Sequence, residues 1–306
     1  MSDSPFARRH AVALVLAAAC WGVGAVVSKQ AVAEIPPLTL LPLQLAVSAG
    51  LLLVLALRRG ERPPITGPGS RIARLGLLNP GLAYALSLLG LALITASLSV
   101  LLWALEPVLI LVLAALVLRE RPGAGLVLLS GAAVLGLILV LYDPSATGSL
   151  PGVALTLAGV ACCAVYSVAT RRWLPGADST LGVVAAQQLY ALGFAVVLLV
   201  VAAAAGVAVA PGAVSSGGVV SIVASGLLYY GLAYWLYLSA LRDVPASVAA
   251  VSFYLIPVFG LGAGFVAGER LGTGQWMGAA IVVGAVAAIT IRGSAVAGPP
   301  ATPASG

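Results

Sequence analysis

The stretch GLLNPGLAYALSLLGL begins at Gly76, and GLLYYGLAYWLYLSAL begins at Gly226, so the second repeats the first at an offset of 150 residues. The match runs on without a gap: Ala96-Ser97 falls on Ala246-Ser247, and Pro107-Val108 falls on Pro257-Val258. A slip of one residue then brings Glu120-Arg121 onto Glu269-Arg270, with glycines following at Gly123/Gly272 and Gly125/Gly274 where the chain reads Gly-Ala-Gly and Gly-Thr-Gly. Compositional bias alone matches Leu with Leu and Ala with Ala, but it does not place Tyr, Pro, Ser and Glu-Arg in the same order twice. The chain is read as an internal duplication.

The composition decides the solvent. Hydrophobic residues make up 61% of the chain and charged residues 8%, against roughly 25% charged in an ordinary soluble domain. Mean hydropathy is +1.14. Runs of about 18 or more apolar residues cross a hydrocarbon layer as helices, and the sequence divides into ten such runs, near 10–33, 36–57, 72–93, 96–118, 123–142, 151–173, 179–208, 217–241, 246–267 and 273–291. Internal Gly and Pro are compatible with membrane helices. The expected fold is therefore an all-α integral membrane protein with ten transmembrane helices.

Charge sets the expected orientation. The net charge is +6, but the cations are dispersed among loops and form no single patch of the kind that binds nucleic acid. With the N-terminus in the cytoplasm, that side receives Arg8, Arg9, Arg58, Arg59, Arg62, Arg71 and Arg74. It also receives Arg119, Arg121, Arg171, Arg172, Arg242 and Arg292, leaving only Lys29 and Arg270 opposite. That asymmetry is a positive-inside signal, and an even number of spans returns the C-terminus to the cytoplasm. Five helices per copy is odd, so the second copy enters the membrane from the opposite side: the repeats are inverted. The expected organisation is a cytoplasmic N-terminus at 1–9, a first repeat at 10–142, a linker at 143–150, a second repeat at 151–292 and a low-complexity, disordered tail at 293–306. Fainter matches at an offset of 143 pair Cys20 with Cys163, Lys29 with Arg172, Gln44 with Gln187 and Gly50 with Gly193.

Arg8-Arg9 followed by AVALVLAAAC has the outline of a secretory signal, but the apolar run continues through Trp21 to Val27, which favours an uncleaved first helix. Cys20, Cys162 and Cys163 all fall inside expected spans and read as small packing residues.

Inverted repeats provide two near-mirror conformations of similar energy, the basis of alternating access, with a solute site between the halves near the midplane. Pro107 and Pro257 lie mid-span and remove helix hydrogen bonds, so each is a candidate hinge or a plain packing kink. Pro80 lies near the start of the third span.

Trp21-Gly22, TASLSVLLWALEPVLILVLAALVLRER from Thr95 and PASVAAVSFYLIPVFGLGAGFVAGER from Pro245 together resemble the ten-helix EamA-like branch of the drug/metabolite transporter superfamily, over about 10 to 291. The resemblance implies a secondary carrier in the cytoplasmic (inner) membrane, often an exporter of amino acids, other metabolites or toxic compounds. Relatives often carry an arginine early in the second helix, where this chain has Gln44; that departure argues against a strongly anionic solute.

Glu106 is the one acidic residue at the centre of a span, and an intramembrane carboxylate is a functional candidate by default. It could meet a solute amine, carry a coupling proton, or serve helix packing. Tyr230, Tyr234 and Tyr237 share one helix face by their i, i+4, i+7 spacing. The matching face of the third span carries Pro80, Tyr84 and Ser87 beside Asn79, while Trp103, Phe253, Tyr254 and Trp21 add further rings. Such a set suits planar or amphipathic solutes, or it fills a core. Tyr229 reads as an interfacial belt residue. Gln44 and Gln187 could bind a polar solute or a neighbouring helix. Lys29 and Glu34 read as solvated anchors, and Glu120-Arg121 and Glu269-Arg270 as helix-end ion pairs or gating contacts.

The partners expected are a small solute, the lipid bilayer and protons as a candidate coupling ion, with no nucleic acid; monomer and oligomer stay open. No cofactor, metal site or catalytic residue is expected. His10 is the sole histidine, no second buried acid accompanies Glu106 for paired acid/base work, and no phosphate-binding G-x-x-x-x-G-K-[ST] loop occurs. A membrane enzyme or a scaffold is the alternative of another class, and a proton-coupled multidrug exporter is the alternative within transport.

Overall fold

The computed structural model describes residues 5–32, 34–67, 69–91, 93–94, 102–103, 105–141, 149–266 and 272–296. Two long helices open the chain, α1 at Pro5–Val32 and α2 at Pro37–Arg58. A short α3 at Ser70–Ala73 leads into a π-helical turn at Leu77–Leu82 and then α4 at Ala83–Leu91. Next come α5 at Glu106–Val117, α6 at Ala124–Leu141, α7 at Leu150–Trp173 and α8 at Thr180–Ala204. The chain continues with α9 at Ser216–Ser225, a π-helical turn at Gly226–Leu232 and α10 at Ala233–Leu241. It ends with α11 at Ala246–Ala250, a 3₁₀ turn at Val251–Tyr254, α12 at Leu255–Val266 and α13 at Thr273–Val296.

Six helical stretches among the described residues are long and apolar enough to cross a membrane: Arg8–Val32, Pro37–Arg58, Leu150–Gly176, Thr180–Ala204, Ser216–Leu241 and Ala246–Val266. Shorter apolar helices lie at Glu106–Val117, Ala124–Leu139 and Trp276–Ile289. Their outer faces remain apolar: Leu116, Leu128 and Val266 are 72%, 73% and 87% exposed, a surface that hydrocarbon solvates and water does not. The last helix runs to Val296, beyond the expected end at 291, and the rest of the tail lies outside the described residues.

Local sequence explains the helix starts. Ser149, Ser179 and Ser215 each stand in extended backbone before a helix, and each side chain accepts the amide proton three residues on, from Gly152, Gly182 and Gly218. A serine here satisfies one of the unpaired donors of the first turn.

The duplication reappears in the packing. α1 packs on α10 and α12, while its repeat mate α7 packs on α4 and α5, the mates of those two. α2 packs on its own mate α8, and α6 on its own mate α13. Exchanging the halves therefore leaves these pairings unchanged.

The tightest helix contacts obey the same exchange. A Cβ on Gly226 would stand 2.8 Å from the Gln44 carbonyl oxygen, and a Cβ on Gly76 would collide with the backbone of Gln187. These glycines, 150 residues apart, let α2 and α8 approach the opposite half at equivalent places. Between lipid-solvated helices, packing of this kind replaces hydrophobic burial as the force for association.

Candidate functional site

Each copy of the opening repeat carries a π-helical turn at the same place, Leu77–Leu82 and Gly226–Leu232. At their ends, the amides of Ala83 and Ala233 bond to the carbonyls five residues earlier, Leu78 and Leu228. Turns of this kind insert a residue into a helix and leave a backbone carbonyl in need of a partner. Gln188 supplies one, donating from Nε2 to the Tyr230 carbonyl at 2.9 Å. In the first copy Asn79 is fully extended (φ −148°, ψ 124°), the conformation that a following proline favours.

Beyond these turns the aromatic side chains gather between the halves. Trp21 on α1 meets Tyr234, Tyr237 and Phe253 edge-on, with ring centres 5.4, 5.6 and 5.3 Å apart. Tyr237 and Phe253 lie 4.9 Å apart, and Tyr166 on α7 closes on Tyr234 at 6.3 Å. A second group forms around Tyr84, whose ring lies 6.0, 5.7 and 5.5 Å from Trp103, Tyr229 and Tyr230. Edge-to-face pairs within about 7 Å are attractive beyond their burial. Tyr230 of this group neighbours Tyr234 on one helix face, so the two groups form one seam. Trp21, Tyr230, Tyr234, Tyr237 and Phe253 are buried, whereas Tyr84, Trp103 and Tyr229 are half-buried.

Two polar groups in the seam have no hydrogen-bond partner among the described residues. The Trp21 indole N–H is one, in a residue that is 6% exposed. The Tyr237 hydroxyl faces Ser167 without closing a bond. A buried polar group left unpaired costs free energy, so these atoms stand ready for a partner. Glu106 stands half-buried at the first turn of α5, in the neighbourhood of Cys163, Tyr229 and Tyr237. No cation or hydrogen-bond donor meets its carboxylate among the described residues.

The remaining candidates are used differently. Gln44 donates to Ser28 Oγ at 2.8 Å and Ser225 Oγ at 2.7 Å. Gln187 accepts from the Tyr166 hydroxyl at 2.8 Å and donates to the Ile72 carbonyl at 3.0 Å. Both amides are spent on neighbouring helices, the second of the two readings open to them. Asn79 is in the seam, receiving the Tyr234 hydroxyl. Tyr254 is not: adjacent residues in a 3₁₀ turn point about 120° apart, so Phe253 takes the seam and Tyr254 packs with Leu137, Val282 and Val286 of α6 and α13. Pro107 opens α5, and Pro257 follows the 3₁₀ turn, so both stand where a helix changes character.

Two expectations need correction, and a third narrows to one of its alternatives. Tyr229 is no belt residue but packs between Tyr84 and Tyr230, because the π turn swings it inward. Glu34 is no freely solvated anchor: its carboxylate accepts the Ser215 amide and hydroxyl, both at 2.7 Å, tying the α1–α2 loop to the start of α9. Glu120 forms no ion pair among the described residues. It accepts the amides of Ala246 and Ser247 at 2.9 and 3.0 Å and the Ser247 hydroxyl at 2.5 Å, capping α11 in the other half. Glu269, Arg270, Ala96 and Ser97 lie outside the described residues, as does the side chain of Lys29. Tyr166 escaped the sequence reading, although a tyrosine in the middle of an apolar span was signal enough.

Comparison with known proteins agrees with this architecture. The model of the EamA-like transporter family matches the chain twice, over residues 9–142 and 150–291. A solved crystal structure superposes with a TM-score of 0.80 at 20% identity, covering 94% of this chain and 99% of its own, which makes it similar in fold. No curated protein sequence matches.

Proposed function

The chain belongs to the EamA-like transporter family, and from that premise we propose that it is a secondary carrier, driven without ATP, that exports aromatic or hydrophobic amino acids and similar small amphipathic metabolites by alternating access. It is a multi-pass membrane protein of the drug/metabolite transporter type. In this reading ten helices cross the cytoplasmic membrane as two inverted five-helix repeats with both termini inside. The cation distribution and the double family match support that arrangement.

The observation that carries the solute class is the aromatic seam between the halves, with the Trp21 N–H unpaired in its wall. A flat or amphipathic solute stacks on such rings and gives the indole an acceptor. Alternation then follows from a seam whose walls belong to bundles with interchangeable contacts. Glu120, by capping α11, ties the two halves together in this conformation. Glu106 meets a solute ammonium group or carries a proton across, because an unpaired carboxylate among tyrosines is costly unless one of these neutralises it.

The test is flux of labelled aromatic amino acids in proteoliposomes, with and without a proton gradient. Wild-type protein should show counterflow, Trp21→Ala should reduce it, and Glu106→Gln should abolish its dependence on the gradient. Absence of flux for every amino acid and aromatic amphiphile tried would sink the reading. The same Glu106 carboxylate supports a second reading, a proton-coupled multidrug exporter; flux of a lipophilic cation that needs Glu106, without amino-acid flux, selects it.

A further inference from the structure

Away from the seam, a crevice of about 410 Å³ runs between α3, α5 and α7. Leu113, Val117 and Val165 form its walls, and Arg71, Arg172 and Trp173 stand at one end. Val117 and Val165 are both 47% exposed, so the wall opens sideways onto the surrounding apolar surface. The cationic end continues into a second crevice of about 620 Å³, lined again by Arg71, Arg172 and Trp173, with Arg62 added and Asp178 the one acid. Arg62, Arg71 and Arg172 are exposed, and no carboxylate or hydrogen-bond acceptor holds any of them among the described residues. The N-terminus of α8 borders the same space at Ser179, but it adds little to the positive field, because the Ser179 hydroxyl already donates to the Glu61 carboxylate.

An apolar slot that opens onto an apolar outer surface and ends in exposed guanidinium groups near helix ends has the amphipathic order of a phospholipid. Arginine holds a phosphate through paired N–H donors, and a tryptophan at the membrane interface packs on the glycerol region. Free phosphate has no use for the apolar slot, and an uncharged lipid has none for three arginines. We propose that this crevice binds an anionic phospholipid, its phosphate between Arg71 and Arg172 with Arg62 in support, and one acyl chain along Leu113, Val117 and Val165.

The placement gives the lipid a role. Arg71, Leu113 and Val117 belong to the first matched repeat, whereas Val165, Arg172 and Trp173 belong to the second. A molecule held by both halves stabilises whichever conformation keeps those walls together, and shifts the population by its differential affinity. The consequence for transport, and the assignment of the crevice to the cytoplasmic leaflet, rest on the carrier reading above; the binding itself does not.

The experiment uses delipidated full-length protein in detergent micelles, titrated with phosphatidylglycerol, with phosphatidylcholine of the same acyl chains, or with glycerol 3-phosphate. Thermal melting and native mass spectrometry are the readouts, so a failure of transport leaves the result untouched. Phosphatidylglycerol should raise the melting temperature saturably and remain bound in the gas phase, and phosphatidylcholine should do so far less. The double variant Arg71→Gln/Arg172→Gln should lose that preference, while Arg121→Gln, which removes an exposed cation outside the crevice, should keep it. If the double variant does not fold, each single variant should retain fewer bound phosphatidylglycerol molecules than wild type, and Val165→Trp should block the slot with the arginines intact. Equal response to both lipids overturns the proposal, as does equal loss in Arg121→Gln. A full shift produced by glycerol 3-phosphate alone overturns the lipid as the source of the phosphate.

Discussion

The Tyr234 hydroxyl donates to the side-chain oxygen of Asn79 at 3.0 Å, across 155 residues of sequence, and its repeat mates Tyr84 and Tyr229 stand in the same relation, ring edge to ring face at 5.7 Å. One contact has thus been kept twice with different chemistry. In the first pair an amide receives a phenol, and in the second two phenols meet.

Replacing Tyr234 by Phe should therefore leave a buried amide oxygen unpaired and lower stability by about 1 kcal/mol, between the soluble-protein cost of such a loss and the smaller average inside membranes. Tyr84→Phe should cost less, because Tyr84 is half-buried and no buried amide relies on its hydroxyl among the described residues. Thermal melts of the two variants and of Asn79→Ala/Tyr234→Phe, whose effects should be less than additive, check the assignment.

Gly226→Ala drives a methyl against the Gln44 carbonyl oxygen, and Gly76→Ala drives one into the Gln187 backbone. Each should destabilise by about 1–3 kcal/mol, the cost of overpacking. Gly193 on α8 has open space around it, so Gly193→Ala should instead stabilise, by up to about 1 kcal/mol, through helix propensity. Melting curves with opposite signs at these positions would establish that the close approaches, and not helix content, set the response.

Glu120 reaches α11 because Arg119 adopts a left-handed conformation, φ 56°, immediately after α5. Glu120→Gln removes a charged cap and should cost about 1 kcal/mol, seen as faster hydrogen exchange at the Ala246 and Ser247 amides. Arg119→Gly should relieve about 1 kcal/mol of backbone strain and slow that exchange. If Glu120→Gln leaves both amides as protected as before, the cap is not what holds these halves together.

Hydrogen bonds from the Ser215 hydroxyl and amide hold the Glu34 carboxyl below the usual glutamate range. A lowered carboxylate pKa adds stability above the ordinary value, and that contribution disappears as pH falls through the lowered one. The melting-temperature difference between wild type and Glu34→Gln should accordingly favour wild type at neutral pH and vanish in acid. Ser215→Ala should flatten the same profile.

Much of this was legible in the sequence. Hydropathy located the helical segments, and the repeat at Gly76 and Gly226 foretold equivalent packing, because shared residues fold into shared contacts. The face carrying Tyr230, Tyr234 and Tyr237, and its counterpart with Tyr84, follow from helix spacing and the repeat. What the sequence could not give was the change of period inside a helix. Tyr229 reads as a belt residue from its place near the start of a span and Tyr254 as one more ring before Pro257, whereas a π turn and a 3₁₀ turn set where the two side chains point. Nor could it pair residues across halves, as with Glu34 and Ser215 or Glu120 and Ser247, because such partners depend on tertiary placement alone.

The π turn at Gly226–Leu232 acts as a phase shifter. An extra residue rotates everything beyond it by about 100° around the helix axis, so the stripe that α9 presents before Gly226 and the stripe that α10 presents after Leu232 face different neighbours. Deleting one residue from this turn would restore an even helix and carry Tyr234 off the seam together with its whole face. A lesion of that size, invisible to hydropathy, would leave an intact membrane protein with its aromatic wall turned away.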